Sequence, residues 1–354
     1  MDSALAPKLS APQHKPRPLT LFLDMLRSET AAEPERMSRA LAGLRAYQEA
    51  PRAPRPQPMP VVAEAHGAVL RDYGGTGAPV LFVPSLINPP NVLDLSEERS
   101  LLRWLASRGH RVLLLDWGLD AASRREMTIG DHVERIIVPL ARGLGEPPAL
   151  VGYCLGGTMA LAAAALSHSR GVATIAAPWR FSGFGDDARV MLRDLWHRAA
   201  PTARSLGVLP MEVLQSAFWS LDPARTVAKF EAFGDMTPGS PEARSFVTLE
   251  DWANDGPPIS EAAARDLFEN LFDDDLTGRG DWTISGRRIE PASLPCPLLS
   301  IVSTSDRIVP AATACEAGAR LDLAQGHVGM IVGARARETL WQPLDHWLSR
   351  LGVR

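Results

Sequence analysis

The sequence predicts an α/β protein: a mostly parallel central sheet with helices on both faces and an inserted, mainly helical cap. Three observations lead there. Short apolar runs alternate with helix-length segments over most of the chain. The runs VLLLDW (112–117) and PLLSIVST (297–304) are apolar almost throughout, as are strands buried on both faces of a parallel sheet. Between 178 and 295 the alternation stops and helically spaced aromatics take over. At 354 residues the chain can bury a large core. Its 37 basic and 41 acidic side chains give a net charge of −4, and without a long basic run they argue against nucleic-acid binding as the main role.

Residues 1–18 are Pro-rich and read as disordered, and Leu19 to Glu49 has helical spacing interrupted near Pro34. PRAPRPQPMP (51–60) places Pro at nearly every other position, which enforces an extended linker. From Val61 the main domain begins, with short strands at Val69–Tyr73 and Val80–Val83 around the turn GGTGAP, and a helix expected over Leu95–Arg108. VLLLDW is the next strand, Asp131–Leu144 a helix, ALVGY (149–153) a strand, Thr158–Ser167 a helix and VATIAA (172–177) a strand. PLLSIVST follows the long gap, then a short helix ending around Cys315 to Arg320, and a last strand LDLA (321–324). The expected division is therefore an extension and linker over 1–60, a core formed by 61–177 and 296–354, and a cap over 178–295. The gap's aromatics (Trp196, Phe218, Trp219, Phe230, Phe233, Trp252, Phe268 and Phe272) read as the cap's own core.

The uncharged stretch 147–169, PPALVGYCLGGTMALAAAALSHS, is long enough to cross a bilayer. Its Gly-rich break instead divides it into a buried strand, a tight turn and a buried helix. The N-terminus lacks the apolar core of a secretory signal. Cys154, Cys296 and Cys315 form neither a CxxC pair nor an even disulfide set, which points to a reducing compartment, no structural zinc and a cytoplasmic location.

The chemistry centres on GYCLGG (152–157), which lies between a predicted strand and a predicted helix. That is the context of a nucleophile elbow, a strained turn that lifts its nucleophile above the sheet edge. Gly152, Gly156 and Gly157 supply the small residues that such a turn and the close helix packing require. Cys154 occupies the nucleophile position, where a helix N-terminus favours a thiolate. A thiolate suits acyl exchange with a thioester, since sulfur replaces sulfur at the acyl carbon. The competing reading is a buried structural cysteine. A nucleophile of this kind needs an acid and then a histidine further along the chain. Asp306, at the tip of PLLSIVST, and His327, in AQGHVGM after the last strand, occupy those places. An oxyanion hole is expected from the backbone N–H of Leu155 plus one from the loop after VLFVP, at Leu86 or Ile87.

Other candidates are weaker. His132 and His346 read as packing or surface residues, and His66 and His110 precede strands. Asp322 is a backup acid only, and Asp116 a structural turn or cap residue. Arg124–Arg125 and Arg287–Arg288 could meet phosphates, although exposed Arg pairs are usually solvated surface.

These motifs resemble the polyhydroxyalkanoate (PHA) synthases of the α/β-hydrolase superfamily. VPSLINPPNVLDLSEERSLLRWLASRGHRVLLLDWG (83–118) is similar to their corresponding block, and GYCLGG to their lipase-like box with Cys in place of Ser. IAAPWRF, LQSAFWSLDP, LEDWANDG, SDRIVP and GHVGM follow in the family's order, so the likeness runs from about Leu70 to Val332. LRDYG (70–74) and the short N-terminal region look most like the class III catalytic subunit. The resemblance implies Cys154 as acyl-carrying nucleophile, His327 as its general base and Asp306 as the third member, helping to activate the incoming hydroxyl. It implies polymerisation of (R)-3-hydroxyacyl-coenzyme A into polyester with release of coenzyme A, and no cofactor besides the coenzyme A of the substrate. As partners it brings a non-catalytic second subunit, a homodimer and the surface of a polyester granule. One departure is that the stretch from Asp306 to His327 is short for the family.

Two other readings stay open. A thioesterase or polyester hydrolase could use the same three residues, and its product would be free hydroxy acid. A catalytically silent granule- or partner-binding protein would have no need of a reactive thiol at Cys154.

Overall fold

The structure is a computed structural model that describes residues 15–52, 56–118 and 122–351. Most of the Pro-rich start expected to be disordered, residues 1–14, lies outside the described residues. The chain forms two compact units, one of Met1–Pro54 with Gln215–Asn254 and one of Arg55–Leu214 with Asp255–Arg354.

The larger unit is built on an eight-stranded sheet: β1 Val61–Ala65, β2 Ala68–Asp72, β3 Pro79–Val83, β4 Arg111–Asp116, β5 Ala149–Tyr153, β6 Gly171–Ile175, β7 Leu298–Ser303 and β8 Ala319–Leu323. The order across the sheet is β1-β2-β4-β3-β5-β6-β7-β8. The β1–β2 and β2–β4 pairs are antiparallel and every other pair is parallel. β3, β5, β6 and β7 are buried along their whole length, which is why their sequences show no polar alternation. The order reverses around β3, and the C-terminal ends of its parallel neighbours open onto one edge, where sheets of this topology place their sites. The stretch 147–169 divides into β5 and the 12-residue helix Leu155–Leu166. Among the described residues no helix is long and apolar enough to cross a membrane.

Two expected helices depart from what the spacing suggests, one shortened and one absent. Leu95–Arg108 is helical only over Leu101–Ser107, because the Ser100 hydroxyl accepts the Arg103 N–H and caps the helix there. Upstream, Leu95 N–H donates to the Arg99 carbonyl in a turn, and Asp94 is tied to both Tyr73 and Arg103. The helix expected to end at Cys315–Arg320 is absent. In its place stands a single 3-10 turn, Ala311–Thr313, and Arg320 lies in β8. The carbonyl of Thr313 accepts the N–H groups of Trp179 and Arg180, so that backbone serves a tertiary contact rather than a helix.

The smaller unit is helical. Leu19–Glu29 and Pro34–Glu49 pack with Pro223–Gly234 and Pro241–Ala253 around a core that includes Phe22, Leu44, Tyr47, Trp219, Phe230, Phe233 and Val247. Phe230 meets Phe22, Tyr47 and Phe246 edge-on at 5.1, 5.8 and 5.7 Å. A side chain at Gly43 would stand 1.8 Å from the Phe230 carbonyl oxygen, so the two helices approach backbone to backbone there. The aromatics read from the sequence as one cap core thus belong to two. Trp219, Phe230 and Phe233 pack with the N-terminal helices, while Trp196 stacks on Phe268 at 5.4 Å in the larger unit. The expected cap, 178–295, is accordingly divided, with 215–254 in one unit and the remainder in the other.

Phe230→Ala should destabilise the helical unit by about 3–5 kcal/mol through loss of buried contacts and the cavity left behind. Urea denaturation with limited proteolysis of the 19–49 segment measures it, and an unchanged midpoint would contradict this account of the core.

Candidate active site

Cys154 follows β5 and caps the helix Leu155–Leu166, with φ 55° and ψ −133°. Positive φ is rare for a residue with a side chain and needs enforcement by its surroundings. Three close approaches and two hydrogen bonds supply that. A Cβ at Gly152 would lie 2.4 Å from the Gly156 carbonyl oxygen, and one at Gly156 would lie 2.1 Å from that of Val83. One at Gly157 would meet the Ala177 methyl at 2.3 Å. Cys154 N–H donates to the Ile175 carbonyl of β6 at 2.9 Å, and Gly157 N–H to the Cys154 carbonyl at 2.8 Å. The motif's glycines therefore answer packing demands made by β3, β5, β6 and the helix together.

Asp306 lies just past β7. Its Oδ1 accepts the N–H groups of Ile308 and Val309 at 2.7 and 3.0 Å, and its Oδ2 pairs with Nδ1 of His327 at 2.6 Å. Both residues are buried. Cys154 lies within hydrogen-bonding reach of the imidazole. With Nδ1 taken by Asp306, the nitrogen left for the sulfur is Nε2. Burial works against a charged imidazole, yet the neighbouring Cys154 and Asp306 outweigh it and push the pKa of His327 up to about 10. The three residues expected from the sequence are thus brought together in space.

Leu155 begins the helix, so its N–H has no acceptor within that helix. In the loop after β3, the Ile87 N–H donates to the Ser85 hydroxyl at 3.2 Å, which leaves Leu86 the better second donor of the two residues expected there. This loop is held against the elbow from two sides. Gly156 admits Val83 and Pro84 at contact distance, and the Trp117 indole N–H donates to the Pro84 carbonyl at 3.2 Å. Trp117 in turn packs edge-on to His132 at 5.6 Å. Local spacing gives no sign of the Trp117 contact beyond an indole N–H in the DWG turn. Nor does it mark Tyr153, which stands inside the elbow motif with its ring 5.0 Å from that of His327.

The remaining candidates fall elsewhere. His132 is buried, its Nδ1 lies 2.7 Å from the Thr128 carbonyl, and burial pushes its pKa down to about 4. His110 pairs with Asp345 at 2.8 Å, and the His66 carbonyl accepts from Arg124 at 3.1 Å. Asp322 pairs with Arg320 on β8. Asp116 joins Arg71 at 2.8 Å and accepts the Gly118 N–H, as a turn residue does. Of the arginine pairs, Arg125, Arg287 and Arg288 are exposed, whereas Arg124 is buried. Burial pushes the Cys296 and Cys315 thiols up, so at neutral pH both stay protonated. Among the described residues no cluster of His, Cys, Asp and Glu is arranged to hold a metal ion.

The ordinary histidine value is 6.5, so the stabilisation that His327 draws from Cys154 and Asp306 is fully present below pH 6.5 and is lost as the pH rises through about 10. In Cys154→Ser the contribution of the sulfur is gone, and His327 should titrate well below the wild-type value by 15N NMR of the imidazole. An unmoved titration would separate the two side chains.

The model described as "Alpha/beta hydrolase family" matches residues 80–340. The chain is 27% identical over 304 residues to the poly(3-hydroxyalkanoate) polymerase subunit PhaC of Haloarcula marismortui, with 81% of this chain and 64% of that one covered. It is 25% identical over 287 residues to the protein of the same name from Allochromatium vinosum, with 77% of this chain and 80% of that one covered. It spans 58% of the length of a further such relative, from Haloferax mediterranei. Among solved structures it is similar to the monoacylglycerol lipase of Paleococcus ferrophilus, at 16% identity and a TM-score of 0.48, with 80% of this chain and 99% of that one covered. The likeness to PHA polymerases read from the motifs is borne out by these relatives. The chain belongs to the alpha/beta hydrolase family.

Proposed function

We propose that the protein is an acyltransferase that polymerises (R)-3-hydroxyacyl-coenzyme A into polyester through an acyl-cysteine at Cys154. The observation that carries the reading is the arrangement about His327, with Asp306 at 2.6 Å from Nδ1 and Cys154 within hydrogen-bonding reach of the imidazole. The Cys154 thiolate attacks the thioester carbonyl carbon. The tetrahedral oxyanion is received by the N–H groups of Leu155 and Leu86, and the carbon–sulfur bond to coenzyme A breaks. The leaving thiolate takes the proton of the His327 imidazolium. The hydroxyl of another hydroxyacyl unit then gives its proton to His327 and attacks the acyl-cysteine. A new ester forms, and Cys154 leaves as the thiolate. Asp306 uses one oxygen on the amides of Ile308 and Val309 and the other on His327. That engagement supports a role in orienting the base over direct contact with the incoming hydroxyl. A second, non-catalytic subunit, a homodimer and a cytoplasmic location at the granule surface belong to the same proposal, by similarity to the PHA polymerases.

Hydrolysis to free 3-hydroxy acid is the second reading. Cys154 is partly exposed, which favours water reaching the acyl-cysteine.

The test incubates the full chain with 3-hydroxybutyryl-coenzyme A, with and without candidate partner proteins, and follows coenzyme A release, insoluble polyester and free acid. Polyester is expected; free acid alone would replace polymerisation by hydrolysis. Cys154→Ala should abolish coenzyme A release, and His327→Ala should lower it by about 10²- to 10⁴-fold. Thiol-directed labelling that is equal in wild type and Cys154→Ala would favour a silent binding protein.

A further inference from the structure

Tyr153 is the last residue of β5 and immediately precedes Cys154. It makes two separate contacts with one residue. Its ring lies against the His327 imidazole at 5.0 Å between centroids with 33° between planes, and its hydroxyl donates to the His327 carbonyl at 3.3 Å. The side chain is buried. His327 is thereby held at three places: at Nδ1 by Asp306, over one face by the Tyr153 ring, and at its backbone by the Tyr153 hydroxyl. We propose that Tyr153 is a positioning residue for His327, whose ring supports the imidazole and keeps the base aligned between Cys154 and Asp306. The proposal rests on the reading of His327 as the base.

An aromatic face is electron-rich and attracts a cation placed against it, so the ring favours the charged imidazole over the neutral one. The hydroxyl stays a donor throughout, since burial, together with the charges of Cys154 and Asp306, pushes the phenol well above its ordinary value. Nucleophile and base support then sit on adjacent residues of one strand tip. A displacement of that tip would carry both together, and the distance between them would be conserved.

Three variants of the full chain test this: Tyr153→Phe, Tyr153→Leu and Tyr153→Met, with folding checked by circular dichroism. The readouts are the His327 titration by 15N NMR and the rate of Cys154 alkylation by iodoacetamide at neutral pH. Tyr153→Phe keeps the ring and loses only a long hydrogen bond, so it should retain the wild-type titration. Tyr153→Leu should titrate lower and alkylate about threefold to tenfold more slowly, the factor that corresponds to a lost aromatic pair. Met fills the volume without a π face and stands in if the Leu variant does not fold. An unmoved titration in the Leu and Met variants, or an equal loss of alkylation rate in all three, would overturn the proposal and leave the ring as space-filling. Failure of the underlying site has its own mark, an alkylation rate in His327→Ala equal to wild type. Failure of the polyester reading has another, no coenzyme A release by wild type despite the expected titrations.

Discussion

The backbone at Cys154 sits at φ 55°, a conformation that costs about 1–3 kcal/mol for a residue with a side chain. It persists because the surroundings leave it no alternative. The amide is tied to β6, the first turn of the helix folds back onto the Cys154 carbonyl, and the helix start lies at contact distance from the ends of β3 and β5. Any Cβ at 152, 156 or 157 would enter space already filled by backbone or by Ala177. The strain is thus held by three strands and a helix acting together, and it leaves Cys154 partly exposed at the strand tip rather than buried in the core. The position of the thiol, the course of the loop carrying Leu86 and the burial of the helix are consequences of one packing arrangement.

Electrostatics acts on this frame. Asp306 is anchored by two backbone amides before it meets His327, so its carboxylate is oriented independently of the base. A charge-assisted hydrogen bond of 2.6 Å between buried groups is favourable only where both partners are fully engaged, as they are here. His132 shows the contrast. It is also buried, but its ring nitrogen meets a backbone carbonyl, Trp117 packs edge-on against it, and burial, aided by Arg124, outweighs Asp131 and drives it toward the neutral form. The same side chain is pushed in opposite directions because burial prevails at His132 and the neighbouring Cys154 and Asp306 prevail at His327.

The helical unit follows a different logic. The N-terminal helices Leu19–Glu29 and Pro34–Glu49 share a core with Pro223–Gly234 and Pro241–Ala253, segments nearly two hundred residues away. Arg52 completes it with a forked pair of bonds to Asp251 at 3.0 Å, and Tyr47 donates to the same carboxylate at 2.7 Å. Periodicity marked these segments as helices but said nothing of their partners. An apolar stripe specifies that a face is buried, not what covers it.

The sequence by itself determined the α/β class, the elbow at GYCLGG and the order Cys154, Asp306, His327. Unbroken apolar runs are the signature of strands buried on both faces, and clustered glycines mark places where backbones must touch. The motif order is legible because each residue follows a strand in a fixed topology. Tertiary structure alone decided that Thr313 would give its carbonyl to Trp179 and Arg180 rather than to a helix, and that the gap's aromatics would enter two cores. It also decided that the Tyr153 ring would lie beside that of His327 and that the Trp117 indole would bond the loop after β3. These are contacts between segments far apart along the chain, and local spacing carries no information about which distant surface a side chain or carbonyl will meet.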